Sequence, residues 1–363
     1  MRTKLFAASL GFLLACATGA FAEGPEFAVV PTWPKTLPNN WILGQIAGVA
    51  TDAQDNVWII QRPGSLTDDE KGATLTPPRS KCCVPAPPVI VFDSEGNVVR
   101  SWGGPGTGFQ WPQNEHGIRI DHQGNVWIGG NGMNDGQALK FSPEGRFLLQ
   151  IGSSGAGTGS ADTKRFGRPA DFAIDQAANE LFVADGYGNH RVIVFDNATG
   201  AYKRHWGAYG KVPSDAMVPL FNPASQQFAN PVHCVKLAND GMVYICDRSN
   251  NRVQVFRRDG TYVREFIYAP TTQGSGSAWD MVLWPDANQT YLIMVDGTNN
   301  EMRVIRRSDG VVMSTFGHPG RMAGQLHWVH NIAADSRGNL YTTEVDNGKR
   351  VQKWAPTNGA PRR

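Results

Sequence analysis

The stretch PVHCVKLANDG, MVYICDRSN, NRVQVFRRDG, TYVREFI, residues 231–267, carries four short apolar runs divided by turn residues. Runs of this length, rich in Val, Ile, Tyr and Phe and bounded by Asp, Asn and Gly, predict β-strands joined by tight hairpins. The same four-part unit recurs upstream. Residues 116–152 read HGIRIDHQG, NVWIGGNGM, QALKFSPEG, RFLLQIG, with a short insert before the third run; residues 169–207 read PADFAIDQAANE, LFVADGYGN, HRVIVFDNATG, AYKRHWG.

Units at 46–103 and 278–317 follow the same scheme, and a last one opens at VHNIAADSRG and stops after RVQKWAP, one strand short. EFAVVPTWP, residues 26–34, is the segment available to supply the missing outer strand. Self-similarity at this period marks a repeat architecture. Six four-stranded units predict an all-β, six-bladed β-propeller whose ring is closed by strands from both ends of the chain, leaving no long open sheet edge. Apolar spacing of three to four residues, the signature of helices, is absent after the first two dozen residues. Two long loops interrupt the pattern, at 62–88 and 208–228, and loops of that length on a compact scaffold usually carry function.

The first residues, MRTKLFAASLGFLLACATGAFAEG, combine a basic start (Arg2, Lys4), an apolar run and the small-x-small Ala20-Phe21-Ala22. That is the pattern of a secretory signal peptide over 1–22, which leaves 23–363 as a single propeller domain and predicts a secreted or periplasmic protein. No later stretch is long and apolar enough to span a membrane. The chain holds 34 Lys and Arg against 32 Asp and Glu, and loss of the leader brings the two counts level. A neutral exported protein is poorly suited to nucleic acid or anionic membranes; a small molecule or a peptide is the expected partner.

In a propeller the first strand of each blade lines the central channel. Aligning the units on that strand puts Ala47, His116, Ala170, His233, Trp279 and His330 at one level. Histidines on every second blade stand about 120° apart around one axis. Three converging imidazoles with an open fourth position match a catalytic metal site, with zinc the natural occupant and other divalent transition metals also compatible. The plainer alternative is a set of structural channel histidines bridged by water. His122, His190, His205, His318 and His327 lie outside this register and read as surface or loop residues, with His327 close enough in sequence to support His330.

Loops between second and third strands open on the face where the first strands begin. They bring Arg62, Tyr187, Arg191 and Arg248 towards that face. A tyrosine among cations is suited to act as a general base, and arginine to hold a carboxylate by two hydrogen bonds. Arg191 and Arg252 recur in matching loops and read as blade ties; Arg62 and Tyr187 are not repeated and read as functional.

At these positions the chain resembles the peptidyl-α-hydroxyglycine α-amidating lyases, a branch of the NHL-repeat propellers. GVATDAQDNVWIIQR, HGIRID, ADGYGNHR, PVHCVKL, CDRSNNR and VHNIA follow that family's order. The resemblance implies zinc on His116, His233 and His330, Tyr187 as catalytic base, and Arg62 and Arg248 around the substrate. It also implies a calcium held by the Val49 and Ile118 carbonyls and the residue after the third histidine. Here that residue is Asn331 where the family has a carboxylate, Trp328 replaces a methionine, and Gly188 replaces a cysteine.

The implied reaction cleaves an N-acyl- or peptidyl-α-hydroxyglycine to an amide and glyoxylate, with Trp328 as a wall of the substrate pocket. A separate hydroxylating enzyme would supply that substrate. Two alternatives share the fold: a metal-dependent lactone or ester hydrolase, and a non-enzymatic binding scaffold. Cys234 and Cys246 fall on adjacent strands at positions that a disulfide could join, and adjacent Cys82 and Cys83 are open between a vicinal disulfide and free thiols.

Overall fold

The computed structural model describes residues 24–358, apart from Ala156, together with Pro361; the leader lies outside the described residues. Six four-stranded antiparallel sheets are arranged as blades. Their inner strands are Gln45–Thr51, Glu115–Ile120, Asp171–Asp175, Val232–Leu237, Asp280–Leu283 and Val329–Ala334. In blade six, Phe27–Val29 pairs antiparallel with Val351–Pro356, Phe27 opposite Pro356, so the N-terminal segment supplies the missing outer strand as expected.

Six apolar clusters hold the ring, one between each pair of neighbouring sheets. Between blades three and four, for example, Phe182, Val192 and Val194 meet Phe228, Val235 and Ile245, all buried. The cluster between blades six and one joins Tyr341 and Val351 to Trp33, Ile46 and Ile59, so ring closure rests on apolar burial as well as strand pairing. On the face away from the histidines, the repeated turn D-x-x-G-N is closed by its own aspartate. Asp121 Oδ1 accepts the N–H groups of Gln123 and Asn125, and Gly124 takes the left-handed conformation (φ 81°) such a turn requires.

Arg191 and Arg252 are fully buried blade ties, as their recurrence predicts. Arg191 Nε meets Asp185 at 2.9 Å and its other nitrogens reach the Ser160 and Arg165 carbonyls. Arg252 repeats this with Asp247 at 2.7 Å. Blades five and six continue the series with Arg303–Asp296 and Arg350–Glu344. Cys234 and Cys246 stand opposite one another and are joined by a disulfide; Cys82 and Cys83 form a vicinal one.

Two parallel strand pairs were not foreseen: Trp41–Ile42 with Val84–Pro85, and His318–Pro319 with Gln325–Leu326. The first anchors the end of the 62–88 loop, which is more ordered than its composition suggests, with short 3-10 turns at Pro63–Ser65 and Gly72–Thr74. His205 lies on the outer strand Tyr202–Trp206 rather than in a loop. Among the described residues no helix is long and apolar enough to cross a membrane.

Deleting residues 24–30 exposes the Val351–Pro356 edge and removes part of the ring closure. The truncated protein is expected to melt several degrees lower and to aggregate on warming, read by thermal denaturation with light scattering.

Candidate metal centre

Each channel position in the aligned set sits at a β-bulge. The pairing of the inner strand shifts around Ala47, His116, His233 and His330. In blades three and five, Ala170 and Asp171 both face Ala184, and Trp279 and Asp280 both face Val295. An extra residue on one strand breaks the strict alternation of side chains and re-aims them. Here it turns three histidines into the channel, where their ligand atoms lie within 4.8 Å of one another and all three rings are buried. Among the described residues this is the one group of three or more His, Cys, Asp or Glu spaced to share an ion.

The second nitrogen of each ring is fixed by the neighbouring blade. His116 Nδ1 donates to the Ala170 carbonyl (2.8 Å), His233 Nδ1 to the Trp279 carbonyl (2.5 Å) and His330 Nδ1 to the Ala47 carbonyl (2.8 Å). The acceptors are the register-equivalent residues of the next blade. A carbonyl only accepts, so Nδ1 carries the proton and every Nε2 presents a lone pair to the axis. Gly117 makes this approach possible, since a Cβ there would stand 2.6 Å from the Ala170 oxygen. The Cys234–Cys246 disulfide lies immediately beside His233 and ties its strand to the next.

Tyr187 completes the cluster from the loop after the second strand of blade three. Its hydroxyl is 2.9 Å from His116 Nε2 and 3.1 Å from His233 Nε2. One hydroxyl proton satisfies one of these lone pairs, so the remaining imidazole acceptors are matched only by a cation or an added donor. The donor set fits a divalent transition metal. Burial keeps the three rings neutral, as ligands must be. It holds His116 and His233 well below the usual imidazole range, aided for His116 by His330 and then Arg62, and for His233 by Arg248 and then His330. Burial, then Arg62 and Arg248, lowers His330 to about 3.

Two arginines face the triad without a carboxylate partner among the described residues. Arg62 donates to the Glu115 carbonyl (2.7 Å), Gln45 Oε1 (2.9 Å) and Asn131 Oδ1 (3.3 Å). Arg248 donates to the Tyr187 hydroxyl (3.3 Å) and stacks on Trp279, 4.4 Å from the ring centroid; its Nε is buried without an acceptor. Burial pushes both guanidiniums down from their usual pKa. They line a cleft of about 390 Å³ with Trp279, Trp328, Val345 and Asp346.

All the expected site side chains but one border the cleft or the metal centre. Asn331 faces the channel beneath them; its amide accepts from His330 Nδ1 (2.5 Å) and donates to Asp280 (2.9 Å), so both ends are engaged. Val49 and Ile118 lie on the inner strands of blades one and two, paired with Ile59 and Ile128. His327 turns towards Asp346 (3.6 Å) instead of His330. Sequence reasoning missed Gln45, Asn131, Val345 and Asp346. The last two occupy the blade-six counterpart of the loop that carries Tyr187, which was the available signal. It also missed the channel floor, where Lys236 bridges buried Asp171 and Asp280 at 2.7 Å each.

Comparison with known proteins agrees with this architecture. Residues 166–195 match the NHL repeat model. The fold is a six-bladed propeller, and the NHL match falls on its third blade. Over most of its length the chain is a distant relative of the amidating lyases. It is 26% identical over 89% of its length to peptidyl-alpha-hydroxyglycine alpha-amidating lyase 1 of Drosophila melanogaster, covering 58% of that protein. It is 26% identical over 90% of its length to peptidyl-glycine alpha-amidating monooxygenase B of Xenopus laevis, spanning 35% of that longer protein.

Human NHL repeat-containing protein 3 is 25% identical over 75% of the chain and 74% of its own length. Among solved structures, a streptogramin B lyase aligns with TM-score 0.51 at 13% identity, covering 91% of this chain and 98% of its own. A Bacteroides thetaiotaomicron protein of unknown function aligns with TM-score 0.56 at 16% identity, covering 92% and 73%. These structural matches speak to the fold.

Metal analysis is expected to find one divalent transition metal per chain, lost in His233→Ala, by elemental analysis after dialysis against a weak chelator. The metal-free protein should also lose stability in acid. Unfolded imidazoles take up protons near pH 6.5, whereas folded His330 does so only near 3. The histidine contribution is therefore full above about pH 6.5 and falls as the pH drops towards about 3. Urea midpoints compared at pH 7.5 and 5 should show this loss, and His330→Gln should reduce it.

Proposed function

We propose that this protein is a zinc-dependent lyase that cleaves the C–N bond of an N-acyl- or peptidyl-α-hydroxyglycine, giving a primary amide and glyoxylate. The observation that carries the reading is the convergence of three imidazole lone pairs, one phenol and two carboxylate-free arginines on one cleft. The kinship with named amidating lyases supports the same reaction class.

Zinc held by His116, His233 and His330 would supply Lewis acidity at the base of the cleft. Arg62, whose two terminal nitrogens each keep a second N–H beyond those given to Gln45 and Asn131, holds the substrate carboxylate. Arg248, with Nε unsatisfied, adds a second positive group and steers the Tyr187 oxygen. Tyr187, between the imidazoles and Arg248, is placed to act as the general base towards the α-hydroxyl proton. As that O–H bond breaks, its electrons form the aldehyde C=O, the C–N bond cleaves, and the amide nitrogen takes a proton. No atom is gained or lost, so no oxidant or water is consumed. The hydroxylated substrate then comes from a separate oxidising enzyme.

The leader with its Ala20-Phe21-Ala22 motif supports export. A calcium beside the zinc would require Asn331 to turn its amide oxygen away from His330. No observation specifically favours the lactone-hydrolase or scaffold alternatives.

The test is glyoxylate release from N-acetyl-α-hydroxyglycine by purified protein lacking the leader. Release should vanish with chelator and return with zinc. Tyr187→Phe should lower kcat about 10²–10⁴-fold while metal content stays at one per chain. Metal-loaded protein that releases no glyoxylate would overturn the lyase reading.

A further inference from the structure

The cleft has two unlike halves. Arg62, Gln45 and Asn131 make one side polar, and Trp279, Trp328 and Val345 make the other apolar. The two indoles meet edge to face, centroids 5.4 Å apart at 69°, forming a corner. Trp279 is buried and its Nε1 donates to the Gly276 carbonyl (2.8 Å), so its polar atom is satisfied away from the cleft. The corner adjoins the ligands: the Trp279 centroid is 5.6 Å from that of His330 and 5.8 Å from that of His233.

Trp328 is held there against its own backbone preference. It adopts φ 50°, a left-handed conformation that bulky residues rarely take and that costs about 1–3 kcal/mol. Asn300 Oδ1 accepts its N–H (2.7 Å) and its carbonyl accepts from Val345 N (3.2 Å), which clamps the peptide on both sides. A position maintained at that cost, half-buried on the wall of a cleft, has its ring aimed by the surrounding structure.

The substrate's geometry connects the two halves. In an N-acyl-α-hydroxyglycine the carboxylate and the acylamino group diverge from the tetrahedral reacting carbon along two different bonds. With the carboxylate on Arg62, the acyl group reaches the indole corner within two bonds of the cleaved C–N bond. The cleft of about 390 Å³ is open to solvent, so the group it contacts most closely is the one next to the cleaved bond. Trp279 is covered by Arg248 and backs the corner, and the half-buried indole of Trp328 offers the surface on which a flat ring can stack.

Resting on the lyase reading, we propose that the substrate carries an aromatic acyl group. The site is then built for N-aroyl-α-hydroxyglycines, with Trp328, backed by Trp279, as the wall of the acyl pocket.

The test separates binding from chemistry. Affinities of the zinc-loaded protein for unreactive N-benzoylglycine, N-acetylglycine, N-octanoylglycine and a glycine-terminated tripeptide are measured by calorimetry. N-benzoylglycine is expected to bind about tenfold more tightly than any of the other three. Trp328→Gly relieves the left-handed backbone, because glycine tolerates positive φ, and so removes the ring with little threat to folding. In that variant the tenfold ratio should collapse towards one, whereas Trp328→Phe should retain part of it. Equal affinities in the parent protein, tightest binding of the octanoyl or peptide ligand, or a preference that survives Trp328→Gly would each overturn the aromatic pocket. Selective N-benzoylglycine binding without glyoxylate release from any hydroxylated analogue would leave the pocket standing and remove the lyase reading.

Discussion

The centre depends on a hydrogen bond repeated three times around the ring, from the Nδ1 of a histidine on an even blade to a carbonyl on the next odd blade. Each bond does two things. It selects the tautomer that leaves Nε2 free to bind a cation, and it ties one inner strand to the next at the level of the channel. The bulges make it possible, because without the extra residue a strand of period two cannot present a side chain to the channel and a carbonyl to its neighbour at one level. The even blades contribute rings and the odd blades contribute oxygens. Six is the blade number at which that alternation yields a threefold ligand set.

Below the histidines the channel closes with charge. Lys236 joins Asp171 and Asp280, Asp280 holds Asn331, and Asn331 touches His330. Buried ions of this kind are costly unless paired and hydrogen-bonded, and here both carboxylates also accept backbone N–H groups, from Val235 and Ile332. The floor thereby connects to the histidine triad, while Arg62 and Arg248 above have no carboxylate partner among the described residues. The floor is balanced, whereas the mouth sets two guanidiniums beside Asp346.

Trp328 and Asn331 flank His330 at two residues before and one after. Both differ from the residues the resemblance leads one to expect, and both face consequential neighbours: an indole wall on one side, the Asp280 network on the other. The changes leave the three imidazoles and Tyr187 in contact while reshaping what surrounds them.

The repeat of four apolar runs determined the propeller by itself, since only stacking such units buries their faces, and the short last unit announced closure by the N-terminal strand. Histidine spacing across the repeats likewise determined the triad, because inner-strand positions are equivalent by construction. Arg62, Tyr187 and Arg248 were legible from loop position for the same reason. Tertiary structure alone decided the bulges, the carbonyl that fixes each tautomer, the Lys236 floor, and the meeting of Trp279 with Trp328. These depend on contacts between blades that are distant in sequence, and a pattern read along one chain holds no information on how far each blade is turned towards the next. His327 illustrates the limit: three residues from His330 in sequence, its ring meets Asp346 instead.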